Sequence, residues 1–312
     1  MQASDWNDYQ VFLAIARAGQ IARAAVAIKL DPTTMGRRLR RLERRIGQTL
    51  FEKTRNGQIL TEAGESLLES VERMENATLA IGEQSLKNQG LCGAVRISVS
   101  EGFGTWLVAP NVHKFLDAHP QLLLELVANS GFLSPSKREA DIAVTLSRPK
   151  AGSVVASKLS DYVLRPYASR GYLSQNGSPS RTSDLATGHR LIGYIPDLIY
   201  APELHYLDEL HAGLAPTARS SSINAQHRLI ASGAGIGVLP CFIGDADPSL
   251  VPVLPPVRII RTLWLVTHTG TNTLARIRAC KEWLIGLAQN NRNLLLPEPA
   301  SSDNPHTPQQ EA

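Results

Sequence analysis

The chain has 312 residues, 43% hydrophobic and 19% charged, with a formal net charge of +4. No apolar run is long enough to span a bilayer, and the start MQASDWNDYQ shows no cationic segment followed by an apolar one, so neither a spanning segment nor a secretory signal is expected and the cytoplasm is the expected location. The length favours two or more units, and the isolated Cys92, Cys241 and Cys280, with no paired spacing, read as reduced, buried thiols rather than a disulfide framework.

Helical periodicity begins at once. Trp6, Tyr9, Leu13 and Ala16 recur at three- and four-residue steps, with Phe12 and Ile15 widening the stripe, and Gly19 ends that helix. A second short helix fits Ile21 to Ile28, where Ala24 and Ala25 permit close approach of a neighbour. In KLDPTT, Asp31 is a good N-cap and Pro32 suits the first helical position, so a third helix begins there.

On the third helix Met35, Leu39, Leu42 and Ile46 form a narrow apolar stripe. At 100° per residue, Thr33, Arg37, Arg40, Arg41 and Arg44 project from the opposite side, with Thr34, Arg38 and Arg45 on one flank. Between Lys29 and Arg55 the basic surplus alone exceeds that of the whole chain. Glu43 is the one acid within the helix, so salt bridging along it cannot neutralise the cationic back. A solvated face is the bland reading. A helix of nearly one charge sign, following a short helix and a tight turn, instead predicts a helix-turn-helix that docks on duplex DNA. Thr33, Thr34, Arg37 and Arg38 then approach base edges, while Arg41, Arg44 and Arg45 face phosphates.

Two short extended runs, Leu50–Thr54 and Gln58–Thr61, flank the turn signal Arg55-Asn56-Gly57. A hairpin after a helix-turn-helix is a wing, and its tip offers Arg55 to phosphate or minor groove. Thr61 caps the next helix, whose apolar positions Leu67, Val71, Met74, Ala77 or Thr78, and Ile81 make a one-sided seam running to about Lys87. That seam packs on the wing domain or against a second copy, and dimerisation is the favoured use.

The order of these elements resembles the N-terminal domain of LysR-type transcriptional regulators. The resemblance is carried by RRLE at Arg40–Glu43, G-x-x-LFE from Gly47 to Glu52, and LTEAG at Leu60–Gly64. It continues through GAVRISVSEGFG, through READIAVTLSRP with Asp141 in the usual acidic position, and through IASGAGIGVLP. It implies a winged DNA-binding domain, a dimerising linker helix and an effector domain of periplasmic-binding-protein type. It also implies a homodimer or homotetramer on promoter or operator DNA, with RNA polymerase as a further partner of an activator. The chain departs from the pattern at Gly36 and Gln20, where Ser is common, and at Pro32, where Gln is common, so particular base contacts do not transfer.

The fold class expected is therefore multidomain. An α-rich winged helix-turn-helix (1–60) and a linker helix (61–90) precede an α/β two-lobed effector-binding domain (91–295), and a Pro-, Ser- and Gln-rich tail (296–312) reads as disordered. Lobe I takes about 91–161 and 268–291, and lobe II about 162–267. Strand-like AVRISVS, LLLELVANS and ADIAVTL alternate with helical spacing through Val108, Val112, Phe115 and Leu116, which predicts a mainly parallel sheet. SDYVLRPYAS begins the second lobe, and TLWLVTH returns to the first before a closing helix, Ala275–Gln289.

Ligands of such sheets bind beyond the carboxyl ends of the strands. That points to Ser100, Glu101, Gly102 and Phe103, to Asn129 and Ser130, and to Thr145 and Ser147. From the facing lobe, Pro196, Ser222 and Asn224 reach the cleft. Taken singly, each is as well explained as a loop or capping residue. Glu101 is the odd member, because it repels a carboxylate effector and keeps a neutral or cationic ligand open. GAGIG at Gly233–Gly237 follows a helix and precedes a strand, the reverse of a dinucleotide loop, and reads as a C-cap and turn. His205 and His211 lie six apart, a poor spacing for a metal on a helix, so no metal or cofactor is expected. The reading is a DNA-binding regulator controlled by a small-molecule effector. The alternatives are an architectural DNA-binding protein without a ligand and an α/β enzyme, for which no catalytic constellation is visible.

Overall fold

In the computed structural model, the described residues are 5–55, 57–85, 90–129, 131, 133–137, 139–150 and 152–298. The wing-tip Asn56, Ser130, the end of the predicted linker helix at 86–89 and the tail from 299 onward lie outside them.

The first unit is three helices and a hairpin: α1 (Trp6–Ala18), α2 (Ile21–Ala27), α3 (Pro32–Ile46), β1 (Phe51–Thr54) and β2 (Gly57–Leu60). Asp5 caps α1 by accepting from Asn7 N, and Gly19 closes it at φ 67°. Gln20 stands at the start of α2 in extended conformation and makes no side-chain cap. Asp31 accepts from Thr33 N at 2.8 Å and Thr34 N at 3.1 Å, and Gly47 ends α3 at φ 77°. The core is Val11, Phe12, Ile15, Met35, Leu42 and Leu50, all at 0% exposure, so the apolar stripes read from the sequence do face one another. Phe12 packs on Phe51 with ring centroids 5.4 Å apart, joining α1 to the wing.

The wing is also fastened at its base. Gln58 N donates to Gly19 O at 2.7 Å, so β2 lies against the end of α1. Gly57 sits there at φ 134°, and a Cβ on it would lie 2.2 Å from the same Gly19 oxygen. Thr61 Oγ1 donates to Thr49 O and accepts from Gly64 N, which starts α4 (Glu62–Ser85) directly below the wing. Along α4, Val71 is buried and Leu67 half-buried against the first unit, Met74 is 45% exposed, and Ala77 and Thr78 are exposed. The Ile81 side chain lies outside the described set. Arg17 of α1 grips α4 through both oxygens of Glu75, at 3.1 and 2.6 Å, with Glu72 4.0 Å away.

The rest of the chain is β3 (Cys92–Ser100), α5 (Glu101–Phe103), α6 (Val112–Ala118), β4 (Gln121–Asn129), β5 (Ile142–Thr145), β6 (Val154–Ser169), α7 (Arg170–Asn176), β7 (Leu191–Gly193), α8 (Leu207–Leu210), β8 (Ala218–Arg219), α9 (Ile223–Ala231), β9 (Ile236–Pro240), α10 (Cys241–Gly244), β10 (Leu250–Pro252), β11 (Ile259–His268), α11 (Ala275–Asn290) and α12 (Arg292–Leu295). A π turn at Gly104–Val108 and a 3-10 turn ending at Asn111 join α5 to α6, so one kinked helix replaces the regular one expected there. Gly104 is needed at the kink, because a Cβ would come within 2.6 Å of Val99 and Ala128 side chains.

Among the described residues, nine strands make one sheet in the order β4-β3-β5-β11-β6-β9-β7-β8, with β10 on β6. The two ends are parallel: β3 with β4 and β5, and β7 with β8 and β9. The centre is not. The long β6 and β11 run antiparallel to each other and to their outer neighbours, so the sheet is mixed rather than mainly parallel. Toward one end β11 holds β5, and toward the other β6 holds β9, so the same two strands serve both lobes. A register shift between Leu263 and Trp264 marks the crossing. Cys241 and Cys280 are buried free thiols, and burial pushes Cys280 up to about 12, whereas Cys92 is only half-buried at the start of β3.

Gly57→Ala forces either the wing or the end of α1 to move and holds a β-carbon at positive φ. The N-terminal unit is expected to lose about 2 kcal/mol or more, read from chemical denaturation followed by circular dichroism. An unchanged midpoint would show that the wing is not fastened at Gly19.

Candidate nucleic-acid interface and ligand cleft

The basic face of α3 divides into two halves. Arg41 donates from Nε to Asp8 Oδ2 at 2.7 Å and makes a second, shorter contact to Asp8 Oδ1. Arg45 reaches the same carboxylate at 3.4 Å, and Asp5 adds a further contact to Arg41 at 3.4 Å. Asp8 is fully buried, on the core face of α1. Its hydrogen bonds raise the already high pKa of Arg41, while backbone and side-chain donation from Asn7 lowers that of Asp5. The expectation that no acid neutralises this part of the helix is thus corrected. The partner comes from a different helix, and Glu43 is turned away to accept from Leu50 N at 2.9 Å.

The other half is open. Arg37, Arg40 and Arg44 are exposed, and among the described residues none has a carboxylate within ion-pair distance. Arg40 Nε donates to Gly36 O and Arg44 Nε to Arg40 O, which lays both guanidinium groups along the helix surface. Thr33 is exposed at the N-terminal end, Thr34 and Arg38 are half-buried beside it, and Arg55 is exposed on the wing. Asp31 takes the Thr33 and Thr34 N–H groups and its backbone oxygen takes Met35 N, so the N-terminal end of α3 presents the Thr33 hydroxyl and the Arg37 guanidinium rather than free backbone N–H groups. This is a surface for a polyanion with hydrogen-bond acceptors.

In the larger unit, the segment after β3 meets the start of α9 across the gap between the lobes. Glu101 accepts from Ser222 Oγ at 2.7 Å, Ile223 N at 3.0 Å and Asn224 Nδ2 at 3.1 Å. Asn224 also donates to Thr105 Oγ1 and accepts from Trp106 Nε1 at 2.8 Å. The Trp106 ring stands edge-on to His227, 5.1 Å between centroids, and His227 is held by Asp247 at 2.9 Å. Asp247 is kept below the usual carboxylate range, mainly by the Ser249 hydroxyl. Gly102 fits where a Cβ would meet Ile243 at 3.0 Å and Ile223 at 3.3 Å. Further along the gap, Ser147 Oγ donates to Glu203, Thr145 Oγ1 donates to Ser147 O, and Arg261 Nε donates to Glu203 O.

Between these bridges lies a cavity whose lining includes Ser100, Gly102, Phe103, Tyr162, Tyr194, Tyr200, Tyr206 and Phe242. The space between atoms is about 420 Å³, but the centre of a water molecule can visit only about 30 Å³ of it, so the lobes are closed on each other. Burial pushes Tyr200 up to about 12, Tyr162 and Tyr206 higher still, and Tyr194 well above the usual phenol range, so the four phenols stay neutral. Of the residues read from the sequence, Ser100, Gly102 and Phe103 line the cavity. Glu101, Ser222, Asn224 and Ser147 belong to the bridging contacts, and Thr145 holds Ser147 from two residues away on the same lobe. Pro196 lines an adjoining hollow that shares Tyr194 and Tyr206, and Asn129 is exposed at the end of the edge strand, where it accepts from Gly131 N. Ser130 is outside the described residues. The tyrosines, Trp106 and Glu203 were not anticipated. Tyr194, Tyr200 and Tyr206 recur every six residues, but the turns starting at Pro196 and Pro202 interrupt the chain between them, so no helical or strand stripe connects them in a search for either.

Comparison with known proteins follows the same division. Residues 6–65 match the family of bacterial regulatory helix-turn-helix proteins of the lysR type, and residues 88–289 match the LysR substrate binding domain. The Mau operon transcriptional activator of Paracoccus denitrificans is 28% identical over 277 residues, 87% of this chain and 93% of that protein. The regulator CrgA of Neisseria meningitidis is 27% identical over 253 residues, 80% of this chain and 84% of that protein. Its solved structure superposes with a TM-score of 0.57 at 24% identity, covering 91% of this chain and 99% of that one. Full-length LysG of Corynebacterium glutamicum with bound effector Arg superposes at 0.62 and 16% identity, covering 92% and 98%, and shares the fold.

Asn224→Ala removes the acceptor of the Trp106 indole and one donor to Glu101. Each hydrogen bond contributes about 1 kcal/mol to closure. Tryptophan emission is expected to shift to longer wavelength, with faster amide exchange at 101–106 and 222–227. If neither changes, the lobes are held together elsewhere.

Proposed function

The chain belongs to the LysR family of bacterial regulators, and from that premise we propose how its own residues read DNA and sense a ligand. As a family member it is a DNA-binding transcriptional regulator with a ligand-sensing domain, not an enzyme. Among the described residues no helix is long and apolar enough to cross a membrane, and we place its action in the cytoplasm.

In this reading α3 enters the major groove by its N-terminal end, bringing Thr33, Thr34, Arg37 and Arg38 to base edges. Arg44 and the wing Arg55 take phosphates, as does Arg40. Arg41 and Arg45 act differently from their neighbours, because Asp8 already engages them, and they fix the angle of α3 on α1. Two copies pair along α4, where Met74 leaves apolar surface uncovered, and set two recognition helices on half-sites about one helical turn or more apart. A homotetramer extends the same contact along the DNA, and where the protein activates, RNA polymerase is the further partner. The cleft around Ser100 and Phe103 receives a small-molecule effector, and closure or opening of the lobes alters the spacing of the DNA-binding units. A ligand shifts that balance only by its differential affinity for the two arrangements.

The observation carrying this reading is the open half of the basic face. Arg37, Arg40 and Arg44 stand exposed and without a carboxylate partner among the described residues, on the helix that the cap and core hold rigid. Footprinting of the full chain on promoter DNA tests it directly. Arg37→Ala is expected to weaken specific binding by roughly 1–3 kcal/mol and relax sequence preference, whereas an equal loss on random DNA would make Arg37 a phosphate contact. Arg44→Ala is expected to reduce the salt dependence of binding by about one unit of slope. Asp8→Asn releases Arg41 and Arg45, and binding to random duplex is expected to become more salt-dependent. A slope no steeper than wild type would show that these two arginines cannot reach the DNA.

A further inference from the structure

The polar end of the cleft is already occupied by the protein's own anion. In a two-lobed body, the place that attracts a carboxylate effector is the amino end of a helix facing the gap, where backbone N–H groups and the helix dipole both favour negative charge. Here that place is the start of α9, and Glu101 fills it from the opposite lobe. Its carboxylate takes the Ile223 N–H, the Ser222 hydroxyl and the Asn224 amide, so the strongest donors facing the gap are spoken for. A second carboxylate there would sit against the first and compete with it for the same donors.

The cavity beside it offers an anion nothing in exchange. Among its described lining residues there is no lysine, arginine or histidine, and no acid either. A charged ligand would be stripped of water without a counter-ion, a cost that side-chain packing does not recover. What the walls do offer is aromatic surface from Phe103, Phe242 and four tyrosines, together with phenolic and serine hydroxyls that donate or accept without charge. The neutral state of those phenols follows from their burial. A flat, mostly apolar ring satisfies such walls, and one hydroxyl or carbonyl group on it satisfies the hydroxyls.

We propose that the cleft takes an uncharged, ring-containing small molecule bearing a hydroxyl or carbonyl group, and that Glu101 is the specificity-determining residue that turns carboxylates away. This rests on the cleft being the effector site. In the closed form there is room for little more than water, so the ligand enters only as the lobes part. Parting them strains the Trp106–Asn224 and Ser147–Glu203 bridges, which lie on different stretches of the gap. Ring size thereby sets how far the lobes open, and charge sets which rings are admitted.

The test uses calorimetric titration of the full chain with phenol, indole, benzyl alcohol and benzoate as probes. At least one neutral ring is expected to give a saturable heat at least tenfold tighter than benzoate. Replacing Glu101 with alanine vacates the start of α9, and benzoate is expected to gain at least tenfold relative to phenol. Glu101→Gln, which keeps the shape and removes the charge, is expected to move the ratio in the same direction and covers the case in which the alanine variant folds poorly. Benzoate binding wild type as tightly as the neutral rings, an unaltered ratio in the folded variant, or no saturable heat with any neutral probe overturns the proposal. Footprinting on promoter DNA separates this failure from failure of the reading beneath it. If carboxylates alter the footprint and neutral rings do not, the cleft remains the effector site and only the assignment of ligand class falls. If wild type binds no operator at all, the regulatory reading itself falls.

Discussion

Like charges crowded on one helix are the constraint around which the N-terminal unit is arranged. Arg37, Arg38, Arg40, Arg41, Arg44 and Arg45 repel one another along α3, and each such neighbouring pair costs a helix roughly 0.2–0.5 kcal/mol. The fold answers with a buried carboxylate. Asp8 engages Arg41 and Arg45 from below, while the apolar stripe of Met35, Leu39 and Leu42 holds α3 in place. Part of the repulsion is thereby relieved inside the protein and the rest is left at the surface. The open arginines, Arg37, Arg40 and Arg44, run along the exposed side of α3 from its second turn to its last.

A related device operates in the second unit with neutral donors in place of cations. Glu101 is an acid delivered to the amino end of α9 by the neighbouring lobe, and the donors it meets are backbone and neutral side chains rather than cations. In both places a carboxylate joins two elements that are far apart in the chain, and in both it consumes a site that an external partner would otherwise take. Asp8 engages two arginines of the basic face, and Glu101 occupies a helix terminus at the gap.

The parts legible in the sequence were those written in local chemistry. The cap at Asp31-Pro32, the stripe on α3, the Asn-Gly turn and the Thr61 cap each need only a few adjacent residues, and the structure has a cap, helix, wing strands and linker helix there. Asp8 was missed because its partners were sought along α3 alone. The signal was present on α1, where Asp8 shares a face with Val11, Phe12 and Ile15, an acid on an apolar stripe that must be paired. Ser100, Gly102 and Phe103 were reachable from the rule that ligands sit at strand ends. Tyr194, Tyr200 and Tyr206 sit among short 3-10 turns with no sustained period, so nothing local marked them as one wall of a cavity. The direction of β6 and β11 was likewise invisible, since antiparallel pairing across a hundred residues leaves no trace in either strand.

That shared pair of strands has a consequence for how the ligand-sensing body can be divided. β5 depends on β11 for its inner edge and β9 depends on β6, yet β6 and β11 run through both lobes. Excising one lobe would leave rows of valine and isoleucine backbone bare, the kind of margin that recruits foreign strands into aggregates. The smallest piece that can be swapped between proteins is therefore the entire double-lobed body, and new specificities arise by changing the loops around the gap while the spine stays whole.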